Sequence, residues 1–230
     1  VDIGSTAIKV VELHQKDGVP TLDTYGELQL GPYNNTDIGQ MVTTLPLQKQ
    51  VEALVDILRE SGVTGNRAAL SIPYTASFTT TVSLDTADDE EIAKRIPVIA
   101  RKYVPVSLNE VTLDWFALSQ DKEKNTTELL LVAIHNTALE RLRSVLEGAG
   151  LSIAYSELEP FSTIRSGATQ IEKPSAFIDF GGGTTKLYVI ERGTVIKAHS
   201  IPGGGSALTN IYVKAFGNTF EQAEELKRSS

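Results

Sequence analysis

Apolar and polar positions follow two alternating patterns along this chain. Apolar residues at Val51, Leu54, Val55 and Leu58 recur three and four positions apart, which predicts an amphipathic helix that ends near Gly62. Runs that are apolar throughout or alternate with polar residues predict strands at 68–72, 78–84, 111–118, 129–134, 153–158, 176–180, 187–190 and 195–200. Further helices are expected at 137–149, from 161, at 208–216 and at 220–227. This succession predicts an α/β fold with mixed sheets.

Local signals refine two of the predicted helices. Thr86 and Asp89 have the spacing of a capping box, which predicts a helix from there to about Tyr103. Pro97 lies inside that segment and is expected to kink or split the helix, because proline lacks an N–H and crowds the preceding turn. Thr137 is predicted to cap the next helix.

Composition narrows the class of protein. The chain has 230 residues, of which 41% are hydrophobic and 22% charged, and these values are typical of a globular protein. The net charge of −8 and the pI near 5.0 give no basic field, so no nucleic-acid partner is expected. The longest uncharged apolar run, 129–134, is far shorter than a membrane-spanning helix requires. The absence of cysteine excludes disulfides and thiol chemistry.

Two segments far apart in the chain resemble each other. The sequence DIGSTAIK begins at Asp2, and the sequence DFGGGTTK begins at Asp179. Each segment continues into a β-rich run, a turn (16–18 and 191–193) and a second strand, which predicts two hairpins with small residues at their tips. Chance agreement between ordinary turn residues is the alternative, but the match extends into the strands. The pair therefore predicts two related subdomains that face each other.

Both hairpin tips carry residues suited to binding phosphate. Glycine lacks a Cβ atom, so a glycine-rich tip can turn several backbone N–H groups towards one anion. The hydroxyl groups of Ser5, Thr6, Thr184 and Thr185 can add further donors. A third glycine segment, 201–206, opens a predicted helix, and a helix N-terminus is another natural anion site.

An aspartate precedes each of the two tips. Asp2 and Asp179 would place carboxylates beside bound phosphates, which suits a hydrated Mg²⁺ ion that keeps most of its waters. No glycine run is followed by Lys-Ser or Lys-Thr at the spacing of a Walker loop. The sequence therefore predicts a polyphosphate clamp made from two hairpins.

Eight segments spread over the chain carry a family resemblance. They are DIGSTAIKVVEL at 2–13, LSIP at 70–73, YVPVSLNEVTLDW at 103–115, LLLVAIH at 129–135, LEPFS at 158–162, DFGGGTTKLYVI at 179–190, IPGGGSALT at 201–209 and FEQAEELKR at 220–228. Together they resemble the PilM family of type IV pilus assembly proteins, relatives of FtsA within the superfamily of actin, hexokinase and heat-shock chaperone ATPases. The segments between the two hairpins distinguish PilM-like chains from sugar kinases and chaperones.

The resemblance implies a bilobed actin-like ATPase fold, of the ribonuclease H-like type, that binds ATP and Mg²⁺ between its lobes. The first lobe is expected at 1–75 and 129–172, an inserted subdomain of the FtsA/PilM type at 76–128, and the start of the second lobe at 173–230. Because the chain begins at Val1 and stops soon after its last predicted helix, we expect both ends to be cut and the second lobe to be truncated.

The resemblance also assigns roles to individual residues. Glu224 and Lys227 match a Glu-x-x-Lys helix that faces the adenosine, and the alternative is a solvated helix face. Glu159 aligns with a glutamate that positions the attacking water in hydrolysing relatives, and the alternative is a carboxylate at the end of a strand. The implied nucleotide-binding residues are Asp2, Gly4, Ser5, Thr6, Asp179, Gly181, Gly182, Gly183, Thr184, Thr185, Gly204, Gly205, Glu224 and Lys227, with Glu159 as the catalytic candidate and with Asp2 and Asp179 holding Mg²⁺ through water.

The function implied is an ATP-binding cytoplasmic scaffold at the inner membrane, which binds the cytoplasmic N-terminal peptide of a bitopic PilN-like protein. We expect that peptide near an edge strand of the insertion, 78–84 or 111–118, with Tyr103 as a contact. Hydrolysis is expected to be slow at most, because no cationic residue is evidently placed to neutralise the transferred phosphoryl group. The alternatives are an FtsA-like division protein that self-associates, and a sugar or carboxylate kinase with Asp85 or Asp114 as its base.

Overall fold

The computed structural model describes residues 1–167, 173–191 and 194–229. Within these ranges the strands are β1 (Asp2–Ile3), β2 (Ala7–Lys16), β3 (Val19–Gln29), β4 (Arg67–Ile72), β5 (Ser77–Leu84), β6 (Val111–Asp121), β7 (Thr126–His135), β8 (Ser152–Leu158), β9 (Ser175–Phe180), β10 (Thr184–Glu191) and β11 (Thr194–Pro202). The helices are α1 (Leu47–Glu60), α2 (Asp89–Tyr103), α3 (Asn136–Gly148), α4 (Glu159–Gly167), α5 (Gly205–Phe216) and α6 (Phe220–Ser229). None of these helices is long and apolar enough to cross a membrane.

The first sheet has five strands in the order β3-β2-β1-β4-β8. Its first three strands pair antiparallel, whereas β1, β4 and β8 pair parallel. Helices α1 and α3 pack on this sheet, and the fully buried side chains Ile8, Leu54, Leu70 and Leu146 form the centre of its core. Of the stripe predicted at 51–58, Leu54 is buried but Val55 is exposed, and α1 buries Ala53 and Ile57 beside Leu54.

The second sheet has three antiparallel strands in the order β5-β7-β6. Its middle strand β7 is buried on both faces: Leu129 and Leu131 pack towards α2, and Leu130 and Val132 join the core of the first sheet. Burial on both faces explains why this segment reads as an unbroken apolar run. The sheet continues to His135, beyond residue 128, where the sequence places the end of the insertion.

The third sheet has three antiparallel strands in the order β11-β10-β9. Ile164 of α4 packs with Ile190 and Val195 against it, while α5 and α6 pack on each other. The turn predicted between β10 and β11 includes residues 192 and 193, which lie outside the described residues.

The N-terminus of α2 differs from its predicted form. Asp88 is the capping residue, and its carboxylate accepts hydrogen bonds from the N–H groups of Glu90 and Glu91 at 2.8 and 3.2 Å. Thr86 instead donates from its hydroxyl to the Glu91 carboxylate at 2.8 Å. The predicted capping box was wrong because a free aspartate next to the helix is a better acceptor for these N–H groups.

Two further local predictions differ from the structure. Pro97 does not split α2, one of the two outcomes predicted for it, and the buried side chains Ile92, Ile96 and Ala100 hold the helix on the second sheet. Tertiary packing therefore outweighs the missing hydrogen bond. Thr137 does not cap α3, since the helix already begins at Asn136 and its capping position, His135, makes no side-chain cap.

Candidate functional site

The two glycine hairpins close their tips with the same hydrogen bond. In the first hairpin the Gly4 N–H donates to the Ala7 carbonyl at 3.0 Å. In the second, the Gly181 N–H donates to the Thr184 carbonyl, also at 3.0 Å. The sequence repeat is therefore a structural repeat, with equivalent residues in equivalent hydrogen bonds.

The strands beside the tips also share one register. Asp2 faces Lys9 across β1 and β2, and Asp179 faces Lys186 across β9 and β10. The surroundings of the two lysines differ, because Lys9 is exposed and Lys186 is buried.

The two tips lie directly against each other. A Cβ atom built on Gly182 would come within 3.0 Å of the Oγ1, Cγ2 and Cβ atoms of Thr6. A Cβ atom on Gly183 would lie 2.6 Å from Ser5 Oγ and 2.5 Å from Met41 Sδ. At Gly182 a side chain would push Thr6 and the first tip away, whereas at Gly183 the nearest atoms are the ends of the Met41 and Ser5 side chains, which can move. The structure thus brings the two predicted phosphate motifs together.

Several backbone N–H groups at this junction are unpaired. Within the described residues, the N–H groups of Ser5, Thr6, Gly182 and Gly183 have no hydrogen-bond acceptor. Unpaired N–H groups on two adjacent glycine-rich turns are suitable donors for an anion. The residues present therefore fit a phosphate group. The Thr185 hydroxyl has another role, since it donates to the Gly203 carbonyl at 2.8 Å.

The third glycine segment supports the second tip from behind. The N–H groups of Gly205 and Ser206 donate to the carbonyls of Gly181 and Gly182, each at 2.9 Å. A Cβ atom on Gly204 would overlap the Gly181 carbonyl oxygen. These first N–H groups of α5 are thus engaged by the protein itself, and the segment positions the tip.

A buried ion cluster lies where the two lobes meet. Lys186 Nζ donates to Glu159 Oε1 at 2.5 Å and to Asp179 Oδ2 at 3.2 Å. The Tyr74 N–H donates to the other carboxylate oxygen of Glu159 at 3.3 Å. Two donors therefore hold the Glu159 carboxylate, and through Lys186 it links the start of α4 to the third sheet. The sequence did not indicate that a lysine pairs with this glutamate.

Burial and charge act against each other in this cluster. Burial raises the pKa of Glu159, although the hydrogen bond and charge of Lys186 oppose the change. Burial alone would lower the pKa of Lys186, but the hydrogen bond to Glu159 and the two carboxylate charges outweigh it and raise that pKa. Lys186 is therefore charged at neutral pH, and it is shared between two carboxyl groups.

The sequence also indicates that Lys186 is buried, although its place in the repeated motif does not. Lys186, Tyr188 and Ile190 alternate along β10 and all point into the core. A lysine on such a buried face needs a carboxylate partner. Within the described residues, the hydroxyl of the fully buried Tyr188 has no partner of its own.

Glu224 and Lys227 form a second buried network. Glu224 Oε2 accepts from Lys227 Nζ and from Thr209 Oγ1, each at 2.5 Å, and Arg228 Nε donates to its other oxygen at 2.8 Å. Lys227 also donates to the Gly205 carbonyl at 3.2 Å. Glu224 is buried, so the alternative of a solvated helix face was wrong for it. The network ties α6 to the start of α5.

The connector at 35–46, which precedes α1, reaches both lobes. The Val42 N–H donates to the Ser5 carbonyl at 2.8 Å, and the Met41 N–H donates to Ser206 Oγ at 3.2 Å. Gly39 has a φ of +81° and would place a Cβ atom 2.6 Å from the Glu224 carboxyl carbon. This connector therefore contacts the first tip, α5 and α6. No local sequence motif predicts these contacts.

A cavity of about 470 Å³ opens between the second and third sheets. Both β5 and β11, which are edge strands of their sheets, line it through residues 79–81 and 195–199. Tyr74 crosses one side, where its hydroxyl donates to the Ala198 carbonyl at 3.1 Å. Phe161 of α4 provides an apolar wall.

The structure places three other sequence candidates away from this cavity. Tyr103 is half-exposed at the end of α2 and lines a separate depression with Val98 and Ile99. Asp85 pairs with Arg95, and Asp114 accepts a hydrogen bond from the following backbone N–H. None of the three is brought to the hairpin tips or to the cavity lining.

Comparison with known sequences points to one family. A family model described as type IV pilus assembly protein PilM matches residues 1–230. The cell division protein FtsA of Neisseria meningitidis serogroup B is 26% identical over 125 residues, which are 54% of this chain and 27% of that protein. FtsA of Agrobacterium fabrum is 29% identical over 102 residues, 44% of this chain and 23% of that protein. The chain thus spans less than a third of the curated relatives that it matches.

Solved structures show the same fold. A chain of the PilM–PilN type IV pilus biogenesis complex has a TM-score of 0.82 and 20% identity, over 99% of this chain and 68% of that chain. The ethanolamine utilization protein EutJ from Carboxydothermus hydrogenoformans has a TM-score of 0.55 and 18% identity, over 99% of this chain and 59% of that chain. At these identities the likeness concerns the fold.

The α/β sheets and the facing pair of glycine hairpins define a bilobed actin-like ATPase fold, which confirms the predicted fold class. Since the family model extends over the whole sequence, this chain belongs to the PilM family of type IV pilus assembly proteins.

Proposed function

We propose that this chain is an ATP-binding scaffold of the type IV pilus assembly platform, at the cytoplasmic face of the inner membrane. The membership of the PilM family supports the pilus role. The observation that most supports nucleotide binding is the contact between Gly182 and Thr6, since unpaired N–H groups of both hairpins lie beside it. A phosphate bound there would satisfy donors from both lobes.

The remaining nucleotide contacts follow from this placement. The phosphates occupy the concave junction of the tips, and Glu224 and Lys227 lie on the adenosine side. In the structure these two side chains bond each other and Gly205, so they shape the wall behind the tip. From the sequence, Asp2 and Asp179 were expected to hold Mg²⁺ through water, but the ammonium group of Lys186, 3.2 Å from Asp179 Oδ2, opposes that role for Asp179.

Hydrolysis, where it occurs, should be slow. Glu159 is the candidate for positioning water, but its carboxylate is held by Lys186 and by the Tyr74 N–H. A base that is already paired abstracts or orients a proton poorly. We therefore propose a protein that responds to the presence of the nucleotide more than to its turnover.

The partner we propose is the cytoplasmic N-terminal peptide of a bitopic PilN-like membrane protein. A neighbouring structure is named as a PilM–PilN complex, which supports that class of partner. We place the peptide in the cavity beside β5, because an edge strand can pair with an extended peptide and Phe161 offers an apolar contact. Tyr103 lines a different depression and is the competing contact.

Calorimetry with ATP tests the nucleotide proposal. We expect Gly182→Ala to weaken ATP binding about tenfold or more, because the added methyl separates the tips. Glu123→Ala, in an exposed turn between β6 and β7, is the control and should bind as the wild type does. Equal affinities for all three proteins would refute the site.

A binding assay with the N-terminal peptide of the PilN-like protein from the same organism tests the partner proposal. Thr80→Lys places a long charged side chain in the cavity beside β5 and should weaken peptide binding at least about tenfold. Tyr103→Ala should leave it unchanged. The opposite result would move the peptide to the depression at Tyr103.

A further inference from the structure

The carboxylates around Lys186 are arranged as in a cation site, with the Lys186 ammonium group in the position of the cation. The ammonium group contacts one carboxylate from each lobe, Glu159 at 2.5 Å and Asp179 at 3.2 Å. The side chains of Lys186 and Glu159 are only 11% and 16% exposed, so these charges have little water to screen them.

The equivalent lysine of the first hairpin has no such contacts. Lys9 occupies the matching register position opposite Asp2, yet it is exposed, and within the described residues no ion pair joins it to Asp2. The hairpin architecture alone therefore does not force a lysine into this contact. The burial of Lys186 depends on Glu159, which reaches it from the first lobe.

The residues around Asp179 do not fit a metal ion bound by the protein. Mg²⁺ needs carboxylate or water oxygens at about 2.0–2.1 Å in octahedral geometry. The carboxylate of Asp179 already has an ammonium group beside it, and that charge repels a divalent cation. Within the described ranges, no group of three or more His, Cys, Asp or Glu side chains is placed to hold a metal.

We propose that the Lys186 ammonium group takes the place of a divalent cation between Asp179 and Glu159, so that the nucleotide site needs no metal ion bound by the protein. This inference rests on the proposed nucleotide site and concerns its metal requirement. A fixed ammonium next to the second tip supplies part of the positive charge that a phosphate group requires. It also keeps both carboxylates from repelling the phosphates.

The first test uses Mn²⁺ alone, an oxygen-seeking ion with an electron paramagnetic resonance signal that measures free metal. We expect no Mn²⁺ site in the wild type that depends on Asp179. Lys186→Gln leaves two carboxylates without their cation and should bind Mn²⁺ at least about tenfold more tightly than the wild type. The double variant Lys186→Gln/Asp179→Asn should lose this gain, and Lys9→Gln, the matched control, should behave as the wild type.

Two results would overturn the inference. One is Mn²⁺ binding by the wild type that disappears in Asp179→Asn. The other is a Lys186→Gln protein that is folded by circular dichroism but gains no Mn²⁺ site. If Lys186→Gln does not fold, Mn²⁺ binding by the wild type and by Asp179→Asn still shows whether Asp179 holds a metal ion.

A second test measures ATP affinity in EDTA and in excess Mg²⁺ by calorimetry. For the wild type we expect the two dissociation constants to agree within about threefold, and for Lys186→Gln we expect a loss of about tenfold or more in EDTA alone. A hundredfold loss for the wild type in EDTA would overturn the inference. Absence of ATP binding in both buffers would instead refute the proposed function. The Mn²⁺ experiment would still test whether Lys186 takes the place of a cation.

Discussion

Gly182 in the second hairpin packs so closely on Thr6 in the first that a Cβ atom on Gly182 would lie within 3.0 Å of three Thr6 side-chain atoms. The contact joins two segments that are far apart in the chain but equivalent in sequence and hydrogen bonding. It makes the spacing between the lobes depend on one glycine and one small side chain. The relative position of the lobes is therefore sensitive to single methyl groups.

Gly182→Ala should lower the thermal stability of the protein, and Thr6→Ala should recover part of the loss. The added methyl overlaps the Thr6 Oγ1 and Cγ2 atoms, and Thr6→Ala removes both of them while keeping Cβ. Overpacking of this kind costs about 1–3 kcal/mol. A double-mutant cycle in urea measures the coupling between the two sites. Strictly additive effects would show that the tips do not touch in solution.

Gly39→Ala should destabilise the protein more than Gly18→Ala does. Both glycines have positive φ, +81° and +79°, so alanine strains the backbone at each by about 1 kcal/mol. Only at Gly39 does the new Cβ also meet the Glu224 carboxylate, whereas nothing lies within 4 Å at Gly18. We expect a total loss of about 2 kcal/mol or more for Gly39→Ala. Equal losses in urea unfolding would refute the contact between this connector and α6.

Much of this fold can be predicted because its signals are local. The repeated hairpins around Asp2 and Asp179, and the apolar stripe of α1, are read from neighbouring residues in the chain. The burial of Glu224 cannot be predicted in this way, because it depends on Thr209 and on Gly39 of the connector before α1. Long-range pairing of this kind leaves no pattern in a single sequence.

The candidate site shows the same division. The tips were predicted because glycine and hydroxyl residues cluster there, and their chemistry needs only the backbone of a short turn. Lys186 was noticed only as part of the repeat, because its partner Glu159 comes from another lobe. The caps were misassigned for a related reason: Asp88 and Thr86 both stand near the start of α2, and only the helix start decides which one caps it.

Asp88→Ala should lower the stability of the protein by about 1 kcal/mol, the usual worth of a capping side chain. The carboxylate of Asp88 accepts from two N–H groups at the start of α2, and alanine leaves both without this acceptor. Thr137→Ala is the matched control, since Thr137 lies inside α3 and caps nothing. Chemical unfolding of the two variants measures the difference. A larger loss of unfolding free energy for Thr137→Ala would indicate that Thr137 caps α3, as the sequence predicted.

Glu224→Gln should make the stability of the protein less dependent on pH at the acidic end. Burial acts to raise the pKa of Glu224, but hydrogen bonds from Lys227, Thr209 and Arg228 outweigh it, so the folded-state pKa lies below the ordinary value of 4.5. A carboxyl group with a lowered pKa contributes stability that is fully present above its unfolded-state pKa. That stability is lost as the pH falls through the folded-state value.

The difference in unfolding free energy between the wild type and Glu224→Gln should therefore be largest at pH 7 and shrink as the pH falls below 4.5. Glu225→Gln is the control, because Glu225 is exposed on the same helix and, within the described residues, its side chain makes no hydrogen bond or ion pair. Urea unfolding at a series of pH values gives both curves. A gap between wild type and Glu224→Gln that stays constant with pH would mean that Glu224 does not ionise within this network, and the link between α5 and α6 would then have to rest on packing alone.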